Sequence, residues 1–250
     1  MSLTTETQAI ILERRSMKEY DRRVVVFTKN FGRLDLIAKG TLRLASKLAG
    51  SLEPLTETNL NIARGRFDRV IGSVTREAWP RLHNDLEALA AASFLAQVTS
   101  QLAQKESPDP AIYNQLQFSL AQLNEIPSDQ FTIIVRRYLW QLFDHLGFKP
   151  QLSKCVRCGK SESIKYTYVS EAGGAVCEQC QTAGSKGIAL TANTVEALNS
   201  LLNNKTDATP ANKTTDRTIA QIIDQTLLIH TQKHLPTDSF WRSINRFINQ

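Results

Sequence analysis

Four cysteines are the residues whose type and spacing most clearly predict chemistry in this 250-residue chain. They form two C-x2-C pairs, Cys155 with Cys158 and Cys177 with Cys180, separated by 18 residues. This spacing is typical of four-thiolate zinc sites, in which each pair supplies two ligands from one tight turn. Because cysteine fills all four positions, no position is left for water or substrate. The pattern therefore predicts one structural Zn²⁺ per chain and no catalytic metal.

Two disulfides, or a redox-active pair, are the alternative interpretations of the same cysteines. The only apolar stretch near the N-terminus, Ala9 to Leu12, is too short for a signal peptide, so we expect a cytoplasmic chain. Thiols stay reduced in that compartment, which favours the metal. His230 and His234 are spaced to share a helix face, but they lack the Glu of an H-E-x-x-H motif and are interpreted as ordinary packing or surface residues.

A basic segment is the second feature with a chemical meaning. Lys39, Arg43 and Lys47 lie four residues apart, so on a helix they would share one face and repel one another. From residue 14 to residue 47 there are 10 basic and 3 acidic residues. Such a segment is either a solvated face or the binding surface for a polyanion. Tyr20 and Phe31, at predicted turns, are the better candidates to stack on bases, whereas Phe27 is expected to be buried.

Signatures of common enzymes are missing from the sequence. There is no G-x-x-x-x-G-K-[ST] phosphate loop, no G-x-S-x-G elbow and no protein-kinase motif set. The carboxylates do not cluster as a two-metal nuclease would require. We therefore predict that the chain is not an enzyme and has no small-molecule substrate. No apolar run approaches the roughly 18 residues of a membrane span, so no membrane partner is expected.

The first 80 residues are predicted to form five short strands. Apolar and β-branched runs place them at about 8–14, 23–28, 34–38, 55–63 and 67–75, with a possible bulge at Gly72 and a helix within 40–50. Five strands with a helix or long connection after the third are typical of the OB-fold, although SH3-like barrels give similar strand counts.

The remainder is predicted to be helical around the cysteines. Apolar residues recur at helical spacing from Leu82 to Val98, from Ile112 to Leu123 and from Ile133 to Leu146. Two or three more helices are predicted after residue 190, at about 193–203, 216–233 and 237–248. The predicted fold class is therefore α+β and multidomain. A five-stranded OB barrel (1–80) precedes a helical domain (81–250) that carries an inserted four-cysteine zinc module (149–183).

The sequence resembles the RecO family of bacterial recombination mediators. The resemblance rests on EYDRRVVVFTKNFGRLDLIAKG (19–40), KGTLRLASKLAGSLEP (39–54), DHLGFKPQLSKCVRCG (144–159) and GGAVCEQC (173–180). The second segment resembles a K-G…S-[K/R]…G-x-L-x-P pattern, and the last two resemble the zinc module of the family. The last 65 residues resemble the family only in being helical.

The resemblance implies a function and a set of partners. Members bind single- and double-stranded DNA, anneal complementary strands without ATP, and work in the bacterial cytoplasm at the nucleoid. They act with RecR, in some settings with RecF, and with the acidic C-terminal tail of single-stranded-DNA-binding protein, and together load RecA recombinase onto gapped DNA. The implied DNA-binding residues are first Lys39, Arg43 and Lys47, then Arg14, Arg15, Arg33, Arg64 and Arg66. Arg136 and Arg137 are candidates either to anchor the acidic tail or to form salt bridges.

Other function classes fit parts of the same pattern. An RNA-binding or ribosome-associated OB protein with a zinc ribbon fits the charge and the barrel equally well. A metal-dependent nuclease would need the carboxylate cluster that the sequence lacks. A zinc-stabilised adaptor between proteins would not need the basic segment at all.

Overall fold

The computed structural model describes residues 4–17, 19–41, 43, 46, 48–182, 187–203 and 212–248. Its N-terminal part is a five-stranded barrel. The strands are β1 (Thr4–Ser16), β2 (Arg22–Thr28), β3 (Gly32–Ala38), β4 (Glu57–Ala63) and β5 (Arg69–Glu77). Each overlaps one of the predicted strands, and the bounds differ by a few residues at the ends; β4 and β5 both begin two residues later than predicted.

The strands pair around a closed barrel in the order β1-β2-β3-β5-β4, and β4 returns to β1. All pairs are antiparallel except β3 with β5, which are parallel and joined only at their ends. The β4–β5 register shifts between Asn61 and Ile62, so that Ile71 is an extra residue beside Gly72. The bulge predicted at Gly72 is therefore confirmed within one residue.

Alternation along the strands explains the barrel core. In β3, Leu34, Leu36 and Ala38 are buried, while the residues between them are half-buried, as the period of two requires. They pack with buried residues of the other strands, namely Ala9, Ile11, Val24, Val26, Leu60, Ile62 and Val70. Phe27 is 1% exposed, which confirms the prediction that it is buried.

The connection between β3 and β4 differs from its prediction. Gly40 and Thr41 lie in a turn, and Arg43 lies in a bend. The Arg43 N–H donates to Gly40 O (3.2 Å) and the Ser46 N–H to Arg43 O (2.9 Å), and none of these residues is helical. A helix over 40–50 is therefore wrong for the described residues. Lys47, with Leu42, Leu44 and Ala45, lies outside them. The only helical turn of the described connection is a short 3-10 helix at Gly50–Leu52.

Contacts group the barrel with four helices in one compact unit, residues 1–131 and 235–250. These helices are α1 (Arg81–Asn84), α2 (Leu86–Leu102), α3 (Pro110–Glu125) and α7 (Pro236–Ile248). Asp85 and Asp109 cap α2 and α3 by accepting backbone N–H bonds, and Pro110 begins α3 where its missing N–H costs nothing.

A buried carboxylate attaches the barrel to α3. Glu57, on β4, is fully buried and accepts hydrogen bonds from Tyr113 Oη (2.8 Å) and Gln117 Nε2 (2.9 Å). Arg76 Nε lies 3.7 Å from the same carboxylate. Burial, followed by the hydrogen bond to Glu57, raises the pKa of Tyr113, so its hydroxyl stays a donor at neutral pH. These contacts connect the start of β4 to α3.

The second compact unit, residues 132–234, contains the cysteines. Its elements are α4 (Phe131–His145, whose first residue belongs to the first unit), β6 (Tyr166–Val169), β7 (Gly174–Cys177), β8 (Ile188–Leu190), α5 (Ala192–Ser200) and α6 (Lys213–Thr231). The three strands form an antiparallel sheet in the order β7-β6-β8. Tyr168 Oη and Thr226 Oγ1, 3.0 Å apart, connect this sheet to α6.

The predicted domain limits, 1–80 and 81–250 with an insert at 149–183, concern which parts fold independently and remain a prediction. None of the helices that the structure describes is long and apolar enough to cross a bilayer.

Candidate metal centre and nucleic-acid interface

The four cysteines converge at one point. Ligand atoms of Cys155, Cys158, Cys177 and Cys180 all lie within 4.8 Å of one another. Cys158 Sγ is 3.8 Å from Cys177 Sγ, close to the ~3.8 Å between sulfurs of a tetrahedral site with metal–sulfur bonds of about 2.3 Å. The cysteines are free thiols, so the disulfide alternative is not what the fold contains. The donor set fits a tetrahedral thiophilic ion, and the elements around it hold the thiols in place.

Backbone hydrogen bonds hold the segment with the first cysteine pair next to β7. The Cys155 N–H donates to Lys160 O and the Gly159 N–H to Cys155 O, both at 2.8 Å, which closes the turn that contains Cys158. Gly159 has φ +75°, a left-handed conformation that favours glycine. The Val156 N–H donates to Ala175 O at 2.9 Å, next to the β7 end that supplies Cys177.

Gly174 is the position where the two segments approach most closely. A Cβ there would lie 2.2 Å from Gln151 O and 2.8 Å from Val156 Cγ1. The missing side chain allows Gln151 to pair with β7, where Ala175 N–H donates to Gln151 O at 2.8 Å. The absence of a side chain at Gly174 therefore lets the segment before Cys155 pack directly against β7.

The pKa values of two of the thiols are shifted in opposite directions. Hydrogen bonding from the backbone N–H of Cys177 (3.4 Å), helped by those of Cys158 and Arg157, lowers the pKa of Cys155 to about 6. Contacts with the thiols of Cys158 and Cys177 raise the pKa of Cys180 to about 12. Thiolates this close therefore need a cation if all four are to be ionised together.

The four-cysteine cluster is the only group of three or more potential ligands among the described residues. His230 instead stacks on Phe148, with ring centroids 3.9 Å apart. Burial lowers the pKa of His230. Its interpretation as a packing residue agrees with this contact.

The second candidate site lies on the barrel, between the β1–β2 and β4–β5 loops. Asp21 and Gly65 line this cleft together with six further residues, by which we define the basic cleft: Met17, Ile37, Lys39, Arg66, Phe67 and Arg69. It has a volume of about 470 Å³. A neighbouring hollow of about 370 Å³ shares four of these residues and continues along β3 towards Arg23 and Lys105. OB barrels bind oligonucleotides on this part of the barrel, the face of the second and third strands and these two loops.

Hydrogen bonds fix the two loops that border the basic cleft. In the β4–β5 loop, Asp68 accepts from Arg64 Nη1 (2.5 Å) and from the Gly65 N–H (3.2 Å), and its carbonyl accepts from the Ile37 N–H (2.9 Å). In the β1–β2 loop, Asp21 accepts from the Gly40 N–H at 2.9 Å, next to Lys39. The acidic residues of both loops are therefore used to hold the backbone.

The charge balance of the basic cleft is positive. Within the described part of the chain, Lys39, Arg66 and Arg69 make no ion pair, and all three are exposed. Asp68 is paired with Arg64, while Asp35 lies 3.0 Å from Arg23 and 4.0 Å from Lys105. Three cations thus remain available to an anionic ligand.

Seven of the eight predicted DNA-binding residues are described by the structure, and they have three different surroundings. Lys39 and Arg66 line the basic cleft, and Arg43 lies over the Tyr20 ring at 5.5 Å. Four others have protein partners: Arg14 pairs with Glu53, Arg15 with Glu13 and Arg64 with Asp68, and Arg33 Nη1 donates to Ser100 O at 2.7 Å. Lys47 lies outside the described residues. A role of any of them in DNA binding remains a prediction.

The aromatic residues of this region differ in exposure. Phe67 is 64% exposed and Tyr20 48%, while Phe31 packs against the barrel core with Arg64 at 4.8 Å from its ring centroid. Of the two aromatic residues singled out from the sequence, Tyr20 has an exposed ring that a base could contact. The ring of Phe31 is largely covered by the barrel core and by Arg64. Phe67, whose ring has Arg66 at 5.7 Å, is the most exposed aromatic of the three.

Sequence reasoning did not single out Met17, Ile37 and Arg69 as site residues. Ile37 looked like one position in an alternating strand, and Arg69 like the charged end of another. Their shared location follows from the β3–β5 pairing, in which Ile37 lies opposite Arg69. The predicted strand order could have indicated them, because the turns after strands one and four of an OB barrel lie at the same face.

Arg136 and Arg137 are the candidate anchors for an acidic tail. Arg136 is ion-paired and Arg137 is buried, both within the second compact unit. Arg136 forms a two-point ion pair with Asp216, in which Nη2 lies 3.1 Å from Oδ2. Arg137 is only 4% exposed, and burial lowers its pKa. The salt-bridge alternative therefore describes Arg136.

Comparisons with known proteins agree with this architecture. The family model for Recombination protein O N terminal matches residues 1–77, and that for Recombination protein O C terminal matches residues 83–239. A protein named DNA repair protein RecO from Thermoanaerobacter sp. (strain X514) is 32% identical over 70% of this chain and 71% of its own length. The protein of the same name from Desulforudis audaxviator (strain MP104C) is 27% identical over 96% of both chains. The chain therefore belongs to the RecO family of DNA repair proteins.

Proposed function

We propose that this chain is a recombination mediator that binds single- and double-stranded DNA, anneals complementary strands without ATP, and helps to load recombinase at gaps. The observation that carries the proposal is the basic cleft, where Lys39, Arg66 and Arg69 have no acidic partner among the described residues. The cleft lies where OB barrels bind oligonucleotides. Membership of a DNA repair family supports DNA over RNA as the polyanion.

Annealing at such a surface has a simple electrostatic basis. Two single strands repel each other through their phosphates, and cations that bind the phosphates lower this barrier. Phosphate contacts position a strand without reading its sequence, so base edges stay free to pair. This scheme requires no catalytic residue and no nucleotide hydrolysis.

The proposed partners besides DNA are RecR, in some settings RecF, and the C-terminal tail of single-stranded-DNA-binding protein. Family membership is what supports them. The tail is acidic, so its docking surface needs free cations, and Arg136 does not provide one because Asp216 already pairs with it.

We also propose that the four-cysteine centre holds one structural Zn²⁺. Four thiolates at tetrahedral spacing match the preference of this ion, and they leave no coordination position for a reaction. When bound, the ion would fix the two turns of the module and supply folding free energy.

Single-stranded DNA binding across a salt series tests the mediator proposal. The triple variant Lys39→Ala/Arg66→Ala/Arg69→Ala should bind oligo-dT more weakly in fluorescence anisotropy. Its slope of log K against log salt should fall by about 2, since each phosphate that a cation neutralises on a single strand contributes about 0.7. Annealing of complementary strands, followed in the same samples, should slow in parallel.

A variant with the same loss of charge serves as the control. Lys213→Ala/Arg217→Ala/Lys233→Ala removes three exposed cations from the other compact unit and should leave the slope unchanged. Equal slopes for the wild type and the cleft variant would contradict the proposal. Preference for RNA over DNA strands in competition would favour the RNA-binding alternative instead.

A further inference from the structure

We propose that the basic cleft holds an unstacked base of a single strand against Phe67, so that this site is selective for single-stranded over double-stranded DNA. This inference rests on the proposed function and names the form of DNA that the site prefers. Its basis is the combination of an exposed apolar surface with unpaired cations in one cleft.

The apolar part of the basic cleft is unusually open to solvent. Phe67 is 64% exposed and Met17 49%, and both line the cleft with Ile37, which is half-buried. None of these three side chains belongs to the hydrophobic cluster that forms the barrel core. An aromatic ring and a thioether next to each other present a flat, polarisable surface, which suits the face of a nucleobase.

The cations around this surface match the rest of a nucleotide. Lys39, Arg66 and Arg69 line the same cleft and are available to the phosphates on either side of the base. Arg66 also lies 5.7 Å from the Phe67 ring centroid, as in the cation–aromatic platforms that hold single strands. The volume of about 470 Å³ falls within the range of small-ligand pockets.

A base can reach Phe67 only when its face is free. In a duplex both faces are stacked, and exposing one costs about a few kcal/mol for unstacking and unpairing. A duplex can therefore use the cations of the basic cleft but not Phe67, whereas a single strand uses both. Stacking occupies the face of the base and leaves its Watson–Crick edge open, which is compatible with annealing.

Equilibrium binding of Phe67→Ala to three probes tests the inference. The probes are an oligo-dT of about 16 nucleotides, the upper site size of one OB fold, an abasic strand of equal length, and a duplex of equal length. We expect Phe67→Ala to bind oligo-dT about five- to tenfold more weakly, the lower part of the range for one stacked base. Its affinities for the abasic strand and the duplex should stay within twofold of the wild type.

Two further variants separate stacking from general effects. Phe118→Ala removes another exposed phenylalanine, 51% exposed on α3, and should leave all three affinities unchanged. Phe67→Tyr keeps an aromatic face and should retain oligo-dT binding, whereas Phe67→Leu should lose it. Because Phe67 is exposed, its variants should melt like the wild type.

The outcomes distinguish this inference from the function on which it rests. If the wild type binds oligo-dT and abasic DNA equally, with the salt slope still dependent on Lys39, Arg66 and Arg69, the stacking inference is wrong and the mediator proposal stands. Equal loss of oligo-dT and duplex binding in Phe67→Ala would also overturn the stacking inference. If neither the charge variant nor Phe67→Ala changes binding, both proposals fail.

Discussion

The four-cysteine centre takes all its ligands from two short turns, whereas the basic cleft collects its lining from segments that are far apart in the chain. Cys155 with Cys158, and Cys177 with Cys180, each lie within four residues. In contrast, Met17, Ile37 and Arg69 come from a loop and two different strands. The first site depends on local backbone geometry, while the second depends on which strands of the barrel become neighbours.

This difference has consequences for tolerance to mutation. A metal centre needs every ligand at a fixed distance, so one missing ligand removes most of its function. A cleft that binds phosphates through several separate cations loses a similar increment with each one. Substitutions in the four-cysteine module should therefore have large effects on stability, and substitutions around the basic cleft should have small ones.

The largest expected effect is that of Cys158→Ser. Removal of one thiolate leaves three soft ligands, and we expect Zn²⁺ affinity to fall by more than about 100-fold, because even changes outside the ligand set cost 10- to 100-fold. Metal binding here is folding free energy, so the module should also melt at a lower temperature. Metal content after dialysis and thermal unfolding with and without chelator measure the two effects.

Ser161→Ala is the matched control for this substitution. Ser161 is exposed and lies three residues after Cys158 in the sequence. Its replacement by alanine should leave the metal content and the melting temperature unchanged. One tightly held Zn²⁺ and a wild-type melting temperature in Cys158→Ser would contradict the metal assignment. So would a wild-type protein that carries no stoichiometric metal and melts identically in chelator.

A smaller but still marked effect is expected for Gly174→Ala. The added Cβ would lie 2.2 Å from Gln151 O, so the segment before Cys155 has to move away from β7. We expect the free energy of unfolding to fall by about 3 kcal/mol, the upper end of the cost of overpacking. Chemical denaturation of the metal-loaded protein measures it, and a change below about 0.5 kcal/mol, typical of surface substitutions, would show that this contact is not tight.

The sequence predicts the elements of both sites better than their assembly. Strand alternation and the cysteine spacing are local patterns, and the structure contains both of them. The helix expected at 40–50 is wrong for its described residues, although spacing alone favoured it. Charge spacing indicates which face residues would share on a helix, but it does not show that a helix forms.

The predicted DNA-binding arginines show why charge counts alone do not locate a surface. Arg14, Arg15 and Arg64 pair with Glu53, Glu13 and Asp68, and of these pairs only Arg14 and Glu53 are far apart in the sequence. An arginine count treats these residues as equal to Arg66 and Arg69, whose charges are unpaired among the described residues. Asp68, for example, pairs with Arg64 and not with its direct neighbour Arg69. The folded barrel decides which of the nearby arginines a carboxylate contacts, so the sequence could not separate the two groups.

The smallest expected effect is that of Gly65→Ala, the counterpart of Gly174→Ala in the basic cleft. A Cβ on Gly65 would meet no atom within 4 Å, and its backbone does not need a left-handed conformation. The substitution restricts the unfolded chain, so we expect stability to rise by about 0.4–1 kcal/mol or to stay unchanged. Denaturant unfolding of both glycine variants side by side makes the comparison. A loss of more than about 1 kcal/mol in Gly65→Ala would mean that the β4–β5 loop is as tightly constrained as the metal module, and that the contrast between the two sites does not hold.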